Sequence, residues 1–245
     1  MSSKPATADQ FDDHGSALAD VAALVALFSD PAVAALRASE ARAAGFGARV
    51  WVRPAPAHAM PALAGVIRGA DFIDLSPATL ADPPQPAVSD ATGASRPVPP
   101  NMSLATAPAD PAWPAPATLS PGDRLVLRVE HDQLAAYCAW LVRAAAGPTN
   151  WTLTPFCPQP GGLFRLHLIA AARLALPPQV RVEVRHDLHG VRLAQVALGF
   201  GADTLAGPID AGRHLPLAGV PRPSETSAAA LCELVRQAGL EATTF

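Results

Sequence analysis

Residues 170–210 constrain the fold more than any other stretch of this chain: AAARLALPPQVRVEVRHDLHGVRLAQVALGFGADTLAGPID. An Ala-rich helix closes on Leu174 and Leu176 and is broken at Pro177-Pro178, because proline lacks the N–H donor and clashes with the preceding turn. Val182 and Val184 then alternate with Glu183 and Arg185, the period of a strand covered on one face. Val191, Ala194, Gln195 and Leu198 recur at helical spacing, and Gly199 and Gly201 return the chain to a short buried strand at Ala202-Asp203-Thr204-Leu205, with Asp203 at a strand end. Strand, helix and strand in this order form a βαβ unit, which predicts an α/β fold on a parallel sheet.

The remaining chain repeats the alternation. A helix is expected over 16–28, and a second from Asp30-Pro31 to about Ala44. There Asp30 caps, Pro31 suits the first helical position and Gly45 is a left-handed terminator. Strands are expected at 49–53, 71–75, 124–130, 151–156, around 182–184 and at 202–205, with a short helix at 59–69 and longer ones at 131–147, 163–176 and 223–241. About six strands alternating with helices make a parallel (β/α) barrel-like sheet, a partial TIM-type barrel. From Ser76 to Pro121 twelve of 46 residues are proline and most others are small or polar. Such a stretch buries too little apolar surface to offset its ordering entropy. The expected organisation is therefore a polar N-terminus (1–15), helices and first strands (16–75), a Pro/Ala-rich insertion (76–121, touching the body at Met102 and Trp113) and a C-terminal (β/α) half (122–245).

A net charge of −3 leaves no basic footprint for nucleic acid. The N-terminus carries acids where a signal peptide is basic, and no run is long and apolar enough to span a membrane. Cys138, Cys157 and Cys232 stand far apart without CxxC spacing, which points to a reducing cytoplasm rather than a disulfide framework. P-loop, post-strand GxGxxG, GxSxG and HExxH motifs are all missing.

Candidate functional residues follow strands, where parallel α/β folds bind ligands. His186, Asp187 and His189 in HDLHG are candidates for acid–base or metal-assisted chemistry; the plainer reading is a polar turn in which Asp187 caps the next helix. Glu130, His131 and Asp203 are candidate ligand-binding residues at the same rim. Cys157 reads as an incidental loop thiol, Cys138 and Cys232 as core, Gln195 as a helix-to-loop hydrogen bond, and Phe164-Arg165-Leu166-His167 as an exposed helix start. No metal site is predicted.

Several blocks resemble the radical SAM family of aminofutalosine synthase, dehypoxanthine futalosine cyclase and FO synthase. Asp132 to Pro158 is similar to a late helix and strand of that family, with its "PF.P" loop at Pro155-Phe156-Cys157-Pro158. AAARLALP resembles its "AVARLML" helix, and Gly190, Ala194-Gln195, Ala197-Leu198, Gly201-Ala202-Asp203 and Gly207 match its "G...AQ.AL..GA.D.GGT" block. ELVRQAGLEA resembles the final helix; the likeness covers roughly 120–240, and 17–53 more weakly. The family holds a [4Fe–4S] cluster through CxxxCxxC after the first strand. Here PAPAHAMPALAG follows that strand without a cysteine, and no Gly-Gly-Glu follows the second. The resemblance therefore implies a shortened, cluster-less relative in which neither [4Fe–4S] nor SAM is supported. The expected function is a non-radical small-molecule-binding or accessory protein linked to biosynthesis of a cofactor such as menaquinone, deazaflavin or a pterin. The alternatives are a cluster-independent enzyme using the rim His and Asp residues, and a partner subunit of an intact radical SAM enzyme.

Overall fold

The computed structural model describes residues 20–56, 65–67, 113–209 and 227–244. Seven strands form one sheet: β1 (Arg49–Pro56), β2 (Gly65–Ile67), β3 (Arg124–Arg128), β4 (Thr152–Phe156), β5 (Arg181–Arg185), β6 (Thr204–Ile209) and β7 (Glu241–Thr244). Their order is β2-β3-β4-β5-β6-β1-β7; six strands run parallel and β2 lies antiparallel on β3. Around them lie α1 (Val21–Ala26), α2 (Pro31–Phe46), α3 (Leu134–Ala145), α4 (Gly162–Ala175), the single turn α5 (His186–His189), α6 (Val191–Leu198) and α7 (Ala228–Gln237). The expected α/β fold with a six-stranded parallel sheet is present, and among the described residues the sheet is open, with β2 and β7 at its edges.

Strand alternation divides the sheet into two unlike faces. Val50, Val52, Leu125, Leu127, Leu153, Val182, Val184 and Leu205 are fully buried and join the helices in one large core. At about 25 cal/mol per Å² of apolar surface, this layer supplies most of what holds helices to sheet. The opposite face carries Trp51, Arg53, Arg124, Val126, Arg128, Thr152, Thr154, Phe156, Arg181, Glu183, Arg185 and Thr204, and its only apolar cluster among the described residues joins Val126 and Phe156 to Leu188.

Several boundaries differ from expectation for local reasons. Helix α2 runs past Gly45 to Phe46, and Gly47 (φ 62°) takes the left-handed position. Gly45 instead admits Pro178, whose Cβ would stand 3.1 Å from an added Cβ. Where a helix was expected over 59–69, Gly65–Ile67 is strand β2, pairing with the exposed edge of β3. The last helix stops at Gln237, and Glu241–Thr244 adds a strand beside β1. The expected insertion ends earlier than Pro121: Trp113 donates to the Arg128 carbonyl (3.0 Å), Trp140 donates to the Pro114 carbonyl (2.9 Å), and Leu119 is buried. The expected strand at 71–75, Met102, the N-terminus 1–15 and the rest of the insertion lie outside the described residues.

Candidate functional site

The C-terminal ends of β3 and β5 each release a polar turn at the rim. After β3, Glu130 accepts from Arg128 at 2.6 Å and caps the turn His131–Gln133 reciprocally, with Gln133 Oε1 accepting from the Glu130 N–H at 2.9 Å. His131 is exposed; its ring meets Phe164 edge-on at 4.4 Å and its backbone N–H donates to Gln159 (3.2 Å). Gly161 (φ 147°) lets the loop after β4 fold over this ring, since an added Cβ would lie 3.2 Å from His131 Nε2. That loop is pinned by Arg165, which donates to the carbonyls of Cys157 (2.7 Å) and Gln159 (3.1 Å).

After β5 the chain makes one tight helical turn, α5. Asp187 does not cap the following helix: Gly190 holds that position, and the Asp187 carboxylate receives the Arg185 fork at 3.0 and 2.5 Å. A bidentate guanidinium pair satisfies both oxygens at once, which an N-cap bond does not. His189 is buried, and its Nδ1 meets the Arg185 carbonyl at 3.1 Å, so Nδ1 carries the proton and donates. Its Nε2 is buried without a hydrogen-bond partner. Burial pushes the His189 pKa down to about 4, outweighing that carbonyl. The His186 ring lies against the backbone of β6, where an added Cβ at Gly207 would stand 2.2 Å from it.

Below the rim, Glu183 is fully buried on the same face. It pairs with Arg124, with Arg53 at 3.3 Å and with the Thr154 hydroxyl at 2.9 Å. Burial raises its pKa, but the Arg124 and Arg53 guanidiniums outweigh that and the net shift is downward. Burial in turn lowers the Arg53 pKa to about 10. In register, Arg128 stands beside Phe156, and Arg185 and Arg53 flank Ala206, so one level of the sheet presents guanidiniums from three strands.

The structure therefore brings Glu130 with His131, and Asp187 with His186 and His189, to the rim on either side of β4. It does not bring Asp203 there. That residue precedes β6, its N–H donating to the Val182 carbonyl, and lies about 13 Å below His186 at a strand rise of about 3.3 Å per residue. The Gly-Ala-Asp segment enters the strand rather than ending it. Asp203 is a clasp, accepting from Arg173 (2.9 Å), the Val182 N–H (2.8 Å) and Thr204 (2.8 Å). Leu166 and His167 are buried, not exposed, because that side of α4 packs on Phe28. Gln195 bonds helix to helix, donating to the Leu234 carbonyl at 3.0 Å.

Sequence reasoning overlooked Glu183 and the arginines as site residues. A readable signal existed: RVWVR (49–53), RLVLR (124–128) and RVEVR (181–185) share one pattern that sends both arginines to one face. The three cysteines stand on separate elements, Cys138 on α3, Cys157 after β4 and Cys232 on α7, and all are buried. Burial raises all three thiol pKa values. Among the described residues no group of three or more His, Cys, Asp and Glu side chains is gathered for a metal ion, and no helix is long and apolar enough to cross a membrane. Set against known protein families and curated proteins, the chain matches none.

Proposed function

We propose that this protein is a non-radical, small-molecule-binding or accessory protein, with its ligand seated over the carboxyl ends of β3, β4 and β5. The observation that carries the reading is the polar rim itself. Two turns there present Glu130, His131, Asp187 and His189, above a sheet face on which Arg124 of β3 and Arg53 of β1 hold Glu183. Carboxyl ends of parallel strands are where open α/β sheets bind ligands. Rigid ion pairs hold side chains in place before a ligand arrives, which lowers the entropy cost of binding. Supported by the sequence resemblance, the reading places the protein in cofactor biosynthesis, on a radical-SAM-like scaffold whose thiolates are missing.

Native mass spectrometry of the gently purified protein tests this reading, comparing wild type with His131→Ala and Asp187→Asn. A bound small molecule retained by wild type and lost from both variants supports it. Retention in both variants places the ligand elsewhere and overturns it. Anaerobic reconstitution with iron and sulfide is the second arm: a stoichiometric [4Fe–4S] absorption band would refute the non-radical assignment.

A further inference from the structure

The opposite end of the sheet holds a second concentration of charge, which the rim does not explain. Arg42, Arg173 and Arg181 all act electrostatically on Asp203, and Arg49 acts on Arg181. Arg181 lies 3.5 Å from the centroid of the Trp51 ring and 4.6 Å from that of Phe46. Arg173 and Arg49 lie farther from the same two rings, at 5.5 and 5.9 Å. Guanidiniums and aromatic faces thus alternate along the bottom of β1 and β5.

Cation–π contact and ion pairing within the protein account for part of this arrangement. Arg173 is saturated, bonding Asp203 and the carbonyls of Val180, Leu176 and Pro177. Arg42 donates from Nη1 to the Gly47 carbonyl (3.0 Å), and Arg49 reaches the Phe46 carbonyl at 3.5 Å. One donor is left unmet and a second is met only loosely. Arg42 is 4% exposed and its Nε is buried without a partner. Arg181 Nη1 is likewise buried without a hydrogen bond, 3.7 Å from Asp203 Oδ1. Aromatic faces attract the charge of a guanidinium but do not accept its in-plane N–H groups, and each buried donor left unmet costs about 1–3 kcal/mol.

Charge counting points the same way. Four guanidiniums face one carboxylate; Glu241 stands in register with Arg49, but no ion pair joins them. The C-terminal ends of α2 and α4 also face the cluster, each supplying about half a negative charge. With Glu241 counted as well, about one positive charge remains, which a bound oxyanion would offset. Access runs past Arg49, which is exposed, and Arg181, whose side chain is 26% exposed.

We propose that Arg42, Arg49 and Arg181, beside Trp51, form a binding site for a phosphate-type oxyanion at the amino ends of β1 and β5. Arg42 Nε and Arg181 Nη1 donate to it, and Arg49 adds charge at the mouth. Asp203 and Arg173 hold the floor without touching the ligand. The site is independent of the rim and stands or falls separately from it.

Isothermal titration of the full chain with inorganic phosphate, against sodium chloride at matched ionic strength, tests the proposal. Wild type should bind phosphate saturably, and a thermal shift should accompany binding in phosphate alone. Arg49→Gln, an exposed change, and Arg181→Lys, which keeps charge but loses the fork, should each weaken affinity by about tenfold. An equal response to chloride and phosphate overturns the proposal, as does unchanged affinity in both variants. Glycerol phosphate as a second probe separates the sources. Binding about tenfold tighter than inorganic phosphate assigns the site to a phosphorylated metabolite, and equal binding assigns it to free phosphate; both support the site.

Discussion

Replacing His189 with phenylalanine should flatten the acid side of the stability profile. The imidazole is buried at the rim with one nitrogen committed to the Arg185 carbonyl, and burial lowers its pKa from 6.5 to about 4. An unfolded chain therefore takes up a proton between those values that the folded chain refuses. The sign follows directly: stability is fully present above pH 6.5, declines as pH falls towards about 4, and declines no further below that on account of this group. From about pH 7 to about pH 5, one such group removes about 2 kcal/mol, at 1.36 kcal/mol for each tenfold change in proton affinity. His167, whose pKa burial also lowers, contributes in the same window. The comparison is therefore between two proteins rather than two pH values. Urea unfolding of wild type and His189→Phe, followed by far-UV circular dichroism, gives the difference. The variant loses the bond to Arg185 at every pH, about 1 kcal/mol, but its loss between about pH 7 and about pH 5 should be smaller by about 2 kcal/mol. Parallel pH profiles would refute the reasoning, and so would an NMR titration placing the His189 pKa at 6.5 or above.

Other substitutions probe the charged interior and the two close approaches. Asp203→Asn leaves Arg173 buried beside a neutral amide and should cost about 3 kcal/mol in chemical denaturation without changing ligand binding at the rim; a loss under 1 kcal/mol would show that the clasp is not an ion pair. Glu183→Gln should destabilise the fold by about 3 kcal/mol at neutral pH. Because the folded-state pKa of Glu183 lies below the ordinary 4.5, that penalty should shrink as acid titrates the wild-type carboxylate, and a penalty constant down to about pH 3 would contradict the assignment. Gly207→Ala drives a methyl into the His186 ring and should lower Tm strongly; adding His186→Ala should restore part of the loss, and strict additivity would argue against the contact.

Much of the fold was legible because one sheet face is largely aliphatic among the described residues. Val182 and Val184, or Leu125 and Leu127, announce strands by alternation, and Pro177-Pro178 stops a helix wherever the rest of the chain goes. What escaped notice depends on contacts distant in sequence. Glu241–Thr244 has no apolar alternation, and it becomes a strand because β1 offers it an edge. Gly65–Ile67 is too short to signal and is recruited by β3. At the rim, HDLHG and Glu130-His131 were visible as polar residues following strands, yet Asp203 was misplaced by a whole strand length. Its Gly-Ala prefix reads equally well as an exit or an entry, and only the Arg173 partner decides. Arg42, one turn before the end of α2, carries no mark in the sequence that sets it apart from the other arginines, yet it is buried in the fold and feels the charge of Asp203.

The strand order has a consequence for how the chain assembles. β3, β4, β5 and β6 are consecutive in sequence and adjacent in space, so residues 124–209 can zip together by successive local crossovers. β1 cannot join them early, because its two neighbours are β6 and β7. Among the described strands β1 is made first and must wait for β6, and contacts so remote in sequence slow folding. During that wait Val50 and Val52 have no partner layer. A nascent or truncated chain lacking β7 presents β1 as a bare edge, the kind of surface chaperones shield and aggregates extend.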